Sequence, residues 1–100
     1  MQEIILKNKK YVLTDHALKR IFSRGYSPSK LQLVFTYGRH FYANGAKVYF
    51  VGKKEVEKAR LIGIDVRELE GINVIVQQND DSELVITAFK NNTLKRYKRQ

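Results

Sequence analysis

Apolar residues recur first at a helical interval and later at every second position, and that change of period divides the chain into its elements. Wound at ~100° per residue, the stretch from His16 to Gly25 puts Ala17, Leu18, Ile21 and Phe22 on one side as a core stripe. His16, Lys19, Arg20, Ser23 and Arg24 share the other side. Thr14 or Asp15 is placed to cap this helix, and Gly25 to end it in a left-handed conformation. Ser27 and Pro28 restart a helix, Ser27 as N-cap and Pro28 in the first turn, where a missing N–H costs nothing. Leu31, Val34 and Phe35 form its apolar stripe, and Gly38 stops it.

The period then falls to two. Arg39–Ala43 and Ala46–Val51 flank Asn44-Gly45, the strongest short hairpin signal available. A two-residue loop pairs Arg39 with Phe50, His40 with Tyr49, Phe41 with Val48 and Tyr42 with Lys47. One face therefore carries His40, Tyr42, Lys47 and Tyr49, and the face with Phe41, Val48 and Phe50 is expected to be core. A third helix is predicted over Lys53–Ile62, with Val56, Ala59 and Arg60 spaced for one side. After a linking stretch, Ile64–Gly71, a second hairpin runs Ile72–Gln77 and Glu83–Phe89, dense enough in Val and Ile for the two-sided middle of a sheet. Ahead of the helices, Glu3–Leu6 and Tyr11–Leu13 read as short strands around the polar turn Lys7-Asn8-Lys9-Lys10. Lys90–Gln100 reads as a frayed basic tail or as a last strand closing the sheet. The expected fold is one α+β domain over residues 1–100. Two N-terminal helices pack on a mainly antiparallel sheet of about four strands, with the third helix between the two hairpins.

One hundred residues with 43% hydrophobic content suffice for a single modest core. No apolar run approaches the ~20 residues of a membrane helix, and Ile4-Ile5-Leu6 is too short for a secretory signal. Cysteine is absent, which excludes disulfides and thiolate metal sites. A cytoplasmic protein, or a payload delivered by another route, fits these features. The charge of +9 is unevenly laid out: residues 1–54 carry +9, residues 55–83 carry −5 and residues 84–100 carry +5. Such segregation suits a surface that meets a polyanion. RNA is the expected partner, DNA a second, and an acidic protein of the antitoxin or immunity type a third. No membrane partner is expected.

The remaining chemistry is narrow. The glycines are isolated, no nucleophile elbow is present, and the acids are interleaved with bases, so neither a metal nor a cofactor is expected. Metal-free cleavage of RNA stays open, because it needs only proton carriers and cations around the pentacoordinate phosphorus. His16 suits the proton transfer. Arg20 and Arg24 suit bidentate phosphate contact, and Lys19 adds charge. His40 is the candidate second proton carrier, with Tyr97 a poorer one. The mixed aromatic and cationic set His40, Tyr42, Lys47 and Tyr49 suits base stacking with phosphate contact, as it also suits an ordinary exposed strand face. Lys95 and Arg96 extend the basic set into the tail. A solvated basic helix face would carry the same residues as the first helix.

The pattern Thr14-x-His16-Ala17-x-x-Arg20-x-x-x-Arg24-Gly25, followed by Ser27, Gly38 and the strand Val85-Ile86-Thr87-Ala88-Phe89, resembles an uncharacterised bacterial family of small domains. Tyr26 stands where that family has an aliphatic residue, and Phe89-Lys90-Asn91 where it has an aromatic-basic-Asn end. The family is similar in layout to the superfamily of barnase, EndoU, colicin nucleases and RelE-type toxins. The resemblance implies a site of His16, Arg20, Arg24 and Thr87 where helix meets sheet, with the Thr87 hydroxyl orienting a phosphate. Three functions follow as expectations: a small metal-independent ribonuclease, a non-catalytic nucleic-acid-binding or regulatory module, and a basic domain that docks an acidic protein.

Overall fold

Three hairpins supply the sheet: β1 (Gln2–Leu6) with β2 (Lys9–Leu13), β3 (Arg39–Ala43) with β4 (Ala46–Phe50), and β5 (Ile72–Gln78) with β6 (Glu83–Lys90). The computed structural model describes residues 1–91, so Lys95, Arg96, Tyr97 and the question of tail or closing strand lie outside the described residues. The strands join in the order β1-β2-β6-β5-β4-β3. β4 meets β5 antiparallel, and β2 meets β6 parallel over Tyr11–Leu13 against Glu83–Val85. The α+β class and the mainly antiparallel pairing are as expected, with β2–β6 the parallel exception, but among the described residues the sheet has six strands rather than about four. The two extra strands are the first hairpin, which joins the sheet through Tyr11–Leu13 against β6. Lys7 and Asn8 take positive φ values of 49° and 68°, a two-residue turn that leaves Lys9 and Lys10 inside β2.

Helix α1 (Asp15–Ser23) starts where Thr14 Oγ1 accepts the Ala17 N–H at 3.1 Å. Gly25, at φ 84°, turns the chain out of it. In α2 (Pro28–Tyr37) the Ser27 hydroxyl caps the Lys30 N–H, with Pro28 in the first turn. The second hairpin turns at Asn44 and Gly45, φ 54° and 77°, as the mirror-image turn of a two-residue loop requires. Its register is the expected one.

All three helical regions contribute to one core. Ile4, Leu13, Ala17, Ile21, Leu31 and Val34 pack with Val74, Val76, Val85 and Ala88 of the central strands and with Ala59 from α3 (Lys53–Leu61). Val66 and Leu69, around a 3-10 turn at Arg67–Leu69, complete it. Two expected core assignments are corrected. Phe22 is 54% exposed, because α1 buries only the narrow line of Ala17 and Ile21. On α3 the inward residue beside Ala59 is Glu55, not Arg60: its carboxylate folds back to accept the Gly52 N–H at 2.8 Å at the helix start.

Candidate nucleic-acid interface

β2 ends at Leu13 because the chain must turn into the Thr14 cap, and this decides the geometry beside it. Among the described residues, β6 beyond Val85 has β5 on one side and no strand on the other. α1 packs there, touching β6 more than it touches β2. Arg24, which caps its C-terminus, donates from Nη1 to the Thr87 hydroxyl at 3.0 Å and to the Ala88 carbonyl at 2.8 Å. The guanidinium has five N–H donors in a fixed fork. Both protons of Nη1 are engaged, while Nε and Nη2 make no hydrogen bond among the described residues. Thr87 accepts from Arg24, so its own proton remains to donate. Arg24 is thus held by one nitrogen, beside a hydroxyl whose proton has no acceptor among the described residues.

His16, Lys19 and Arg20 are exposed on the same helix. Lys19 and Arg20 have no carboxylate partner among the described residues, in contrast to Lys9, Lys10, Lys30, Arg39 and Lys47, which all do. Successive i, i+4 positions rise by about 6 Å. His16 therefore stands about 12 Å along the helix from Arg24. The structure brings Arg24 and Thr87 into contact, sets Arg20 one turn away, and leaves His16 at the far end of the same stripe.

The second group of expected residues divides. His40 and Tyr42 are exposed on the edge strand β3, their rings 6.4 Å apart. Lys47 and Tyr49 do not share that exposure: they are 4% and 3% exposed. Tyr49 belongs to the helix-side core, so β4 is buried on both faces. What draws Lys47 and Tyr49 inward is Glu83, also 3% exposed. Its carboxylate accepts Lys47 Nζ at 3.0 Å, Tyr49 OH at 2.8 Å and Gln78 Nε2 at 3.3 Å, with Lys9 Nζ at 3.4 Å. The Tyr11 and Tyr49 hydroxyls meet at 3.1 Å. Glu83 and its partners thereby tie β2, β4, β5 and β6 together. Nothing local marks Glu83 for this role. It follows a polar loop and looks like a strand end, and the groups that meet its carboxylate come from β2, β4 and β5.

Burial raises the pKa of Glu83, but hydrogen bonds from Tyr49 and Lys47 and the charges of Lys47 and Lys9 outweigh it and hold the carboxyl below its ordinary value. Tyr49 is pushed well above the tyrosine range, first by burial and then by Tyr11 and Glu83. Partial burial, then the charges of Lys47 and Lys9, keep His40 below the usual histidine value. The unfolded chain therefore binds a proton at His40 that the folded chain resists, and stability falls as pH drops below about 6.5. The melting temperature, followed by circular dichroism from pH 7 to pH 5, is expected to decline less steeply in His40→Gln than in the parent. Equal slopes would contradict this assignment.

His40 and Ala88 lie in one row across the sheet, through Tyr49 and Val74. Three strand spacings, about 14 Å, separate them. The Arg24–Thr87 seam and the His40 edge are two places. Among the described residues, no three His, Asp or Glu side chains gather to hold a metal ion, and no helix is long and apolar enough to cross a membrane. No family model matches the chain, and no curated protein or solved structure gives a significant match.

Proposed function

We propose that the protein binds the phosphate backbone of RNA along the seam between α1 and β6. The observation that carries this reading is Arg24, anchored through Nη1 on Thr87 and Ala88 while its other donors have no partner among the described residues. A fork fixed in advance loses little freedom when a planar anion arrives. Arg20 and Lys19, about one turn up the helix and without carboxylate partners among the described residues, continue the positive track. The family resemblance shares Arg20, Arg24 and Thr87 with this reading and adds His16. In binding assays with a labelled single-stranded RNA in EDTA, saturable binding is expected, with affinity falling steeply between 50 and 200 mM salt as counterion release dictates (about ten- to a thousandfold). Absence of binding at low salt would end the proposal.

Metal-free cleavage is the second reading, favoured by His16 on the stripe that leads to Arg24. In that reaction an imidazole takes the 2′-hydroxyl proton as the oxygen attacks phosphorus, the cations hold the developing charge, and the P–O5′ bond breaks as the leaving 5′-oxygen takes a proton from water. The same incubations decide it. Products with a cyclic phosphate end, abolished by His16→Ala in a folded protein, support cleavage; RNA that stays intact at high protein concentration leaves binding alone.

A further inference from the structure

We propose that the sheet face turned away from α1 and α2 is a docking surface for the chain's own C-terminal segment, residues 92–100, with Leu94 and Tyr97 as anchors. The inference does not depend on the RNA reading. Register and alternation place Phe41, Val48 and Ile75 in one row of that face, and Phe50, Asn73 and Phe89 in the next. The two helices close their core on the opposite face, through Tyr49, Val74 and Val76. Val48 and Phe50 stand outside that core, yet they are only 1% and 4% exposed. Arg39 over the Phe50 ring and Gly52 against its edge help to account for Phe50. For Val48 the partners within the sheet are Phe41 and Ile75, both only half-buried. Strand side chains stand roughly perpendicular to the sheet, so such neighbours shield the flanks of a valine and not its outward end. Val48 is a position that needs a cover.

The end of β6 points to what the cover is. The Asn91 N–H still donates to the Gly71 carbonyl at 2.7 Å, but the Asn91 carbonyl meets the side chain of Asn73, which donates to it from Nδ2 at 3.1 Å. Because Asn73 belongs to the helix-free face, this bond turns the chain toward that face as β6 ends. Asn73 is fully buried, and its Oδ1 has no hydrogen-bond partner among the described residues. A buried acceptor without a partner is costly, which favours a cover that brings N–H groups, as a length of backbone does. The sequence beyond Asn91 has a matching pattern. Leu94 and Tyr97 stand three positions apart, neighbours on one side of a helical turn, while Lys95, Arg96 and Arg99 fall on the other. An apolar pair can thus meet the sheet with the charges left in water. The reach suffices as well. Val48 lies one strand across and two residues along from Asn73, about 8 Å. The six residues from Asn91 to Tyr97 span about 9 Å as a helix and about 20 Å extended.

The test is a nuclear Overhauser measurement on the full chain. In uniformly 13C-labelled protein, cross-peaks are expected between the Tyr97 ring and the methyl groups of Val48 and Ile75. In an equal mixture of labelled and unlabelled protein, filtered for contacts between chains, the same cross-peaks are expected to be absent. Tyr97→Ser is expected to move the Val48 and Ile75 amides and to lower the melting temperature by about 4–8 °C. Arg99→Ser, on the charged side of the same segment, is expected to leave both as in the parent. Three results would overturn the proposal. Cross-peaks that survive the filter would assign the cover to a second copy of the chain. An absence of cross-peaks would place the segment elsewhere. A parent-like melting temperature in Tyr97→Ser, with those amides unmoved, would show that the face is closed without it.

Discussion

Replacing Glu83 with alanine is expected to cost about 3–5 kcal/mol, the range for removing one partner of a buried ion pair. Domains of this size have about 5–15 kcal/mol in total, so Glu83→Ala should leave the chain barely folded at room temperature. The reason is what stays behind. Lys47, 4% exposed, would keep its ammonium without a carboxylate, and the Tyr49 hydroxyl would lose its acceptor at 2.8 Å. Burial already lowers the Lys47 pKa against the pull of Glu83. Without Glu83 the depression deepens, so the unfolded chain binds the proton that the folded chain rejects. The variant should therefore regain stability as pH rises toward 10. Removing both charges together, as Lys47→Met with Glu83→Leu, is expected to recover most of the loss, since apolar groups of similar size replace buried pairs at little cost. Urea unfolding of the three proteins at pH 7 measures this. A loss under 1 kcal/mol in Glu83→Ala would show that the pair is open to water. In the parent the carboxyl lies below its unfolded value, so its contribution holds above about pH 4.5 and is lost as pH falls further.

The second large effect concerns RNA. Arg24→Ala is expected to weaken RNA binding about ten- to a hundredfold, as for loss of a charge-assisted contact of about 1.5–3 kcal/mol. The salt dependence should fall by about one phosphate contact. Arg24→Lys should not restore the parent affinity, because an ammonium cannot grip Thr87 and the Ala88 carbonyl with one nitrogen while offering a planar fork to the ligand. Both variants keep the fold, since Arg24 lies at the surface and the core beneath α1 is Ala17 and Ile21. A parent-like affinity in Arg24→Ala would place the RNA elsewhere.

Local signals and long-range pairing account for what could be read from the chain and what could not. Asn44-Gly45 specified its hairpin to the residue, because a two-residue loop and its register are one decision. Thr14, Ser27, Pro28 and Gly25 marked the helix ends because capping acts over three or four residues. The joining of hairpins has no such signature. The parallel contact of β2 with β6 joins Tyr11–Leu13 to Glu83–Val85 across most of the chain, with no local signal to announce it, and the polar run Lys7-Asn8-Lys9-Lys10 separately concealed that two of its members extend β2. The site followed the same division. Arg20, Arg24 and His16 were legible as one helix stripe, and Thr87 entered through the family resemblance. Glu83 and Lys9 were not legible, because the partners that bury Glu83 come from three other strands. Lys47 and Tyr49 were expected at the surface for the same reason: an alternating strand reads as half-exposed, and β4 is covered on both sides.

The Arg24 guanidinium is the proposed phosphate clamp, and its side-chain Nε–H resonance reports on that contact directly. On titration of the 15N-labelled protein with a short single-stranded RNA, that resonance and the Thr87 amide are expected to shift together and saturate together, while the amides of α3 stay in place. Saturation of RNA binding with Arg24 and Thr87 unmoved would contradict it.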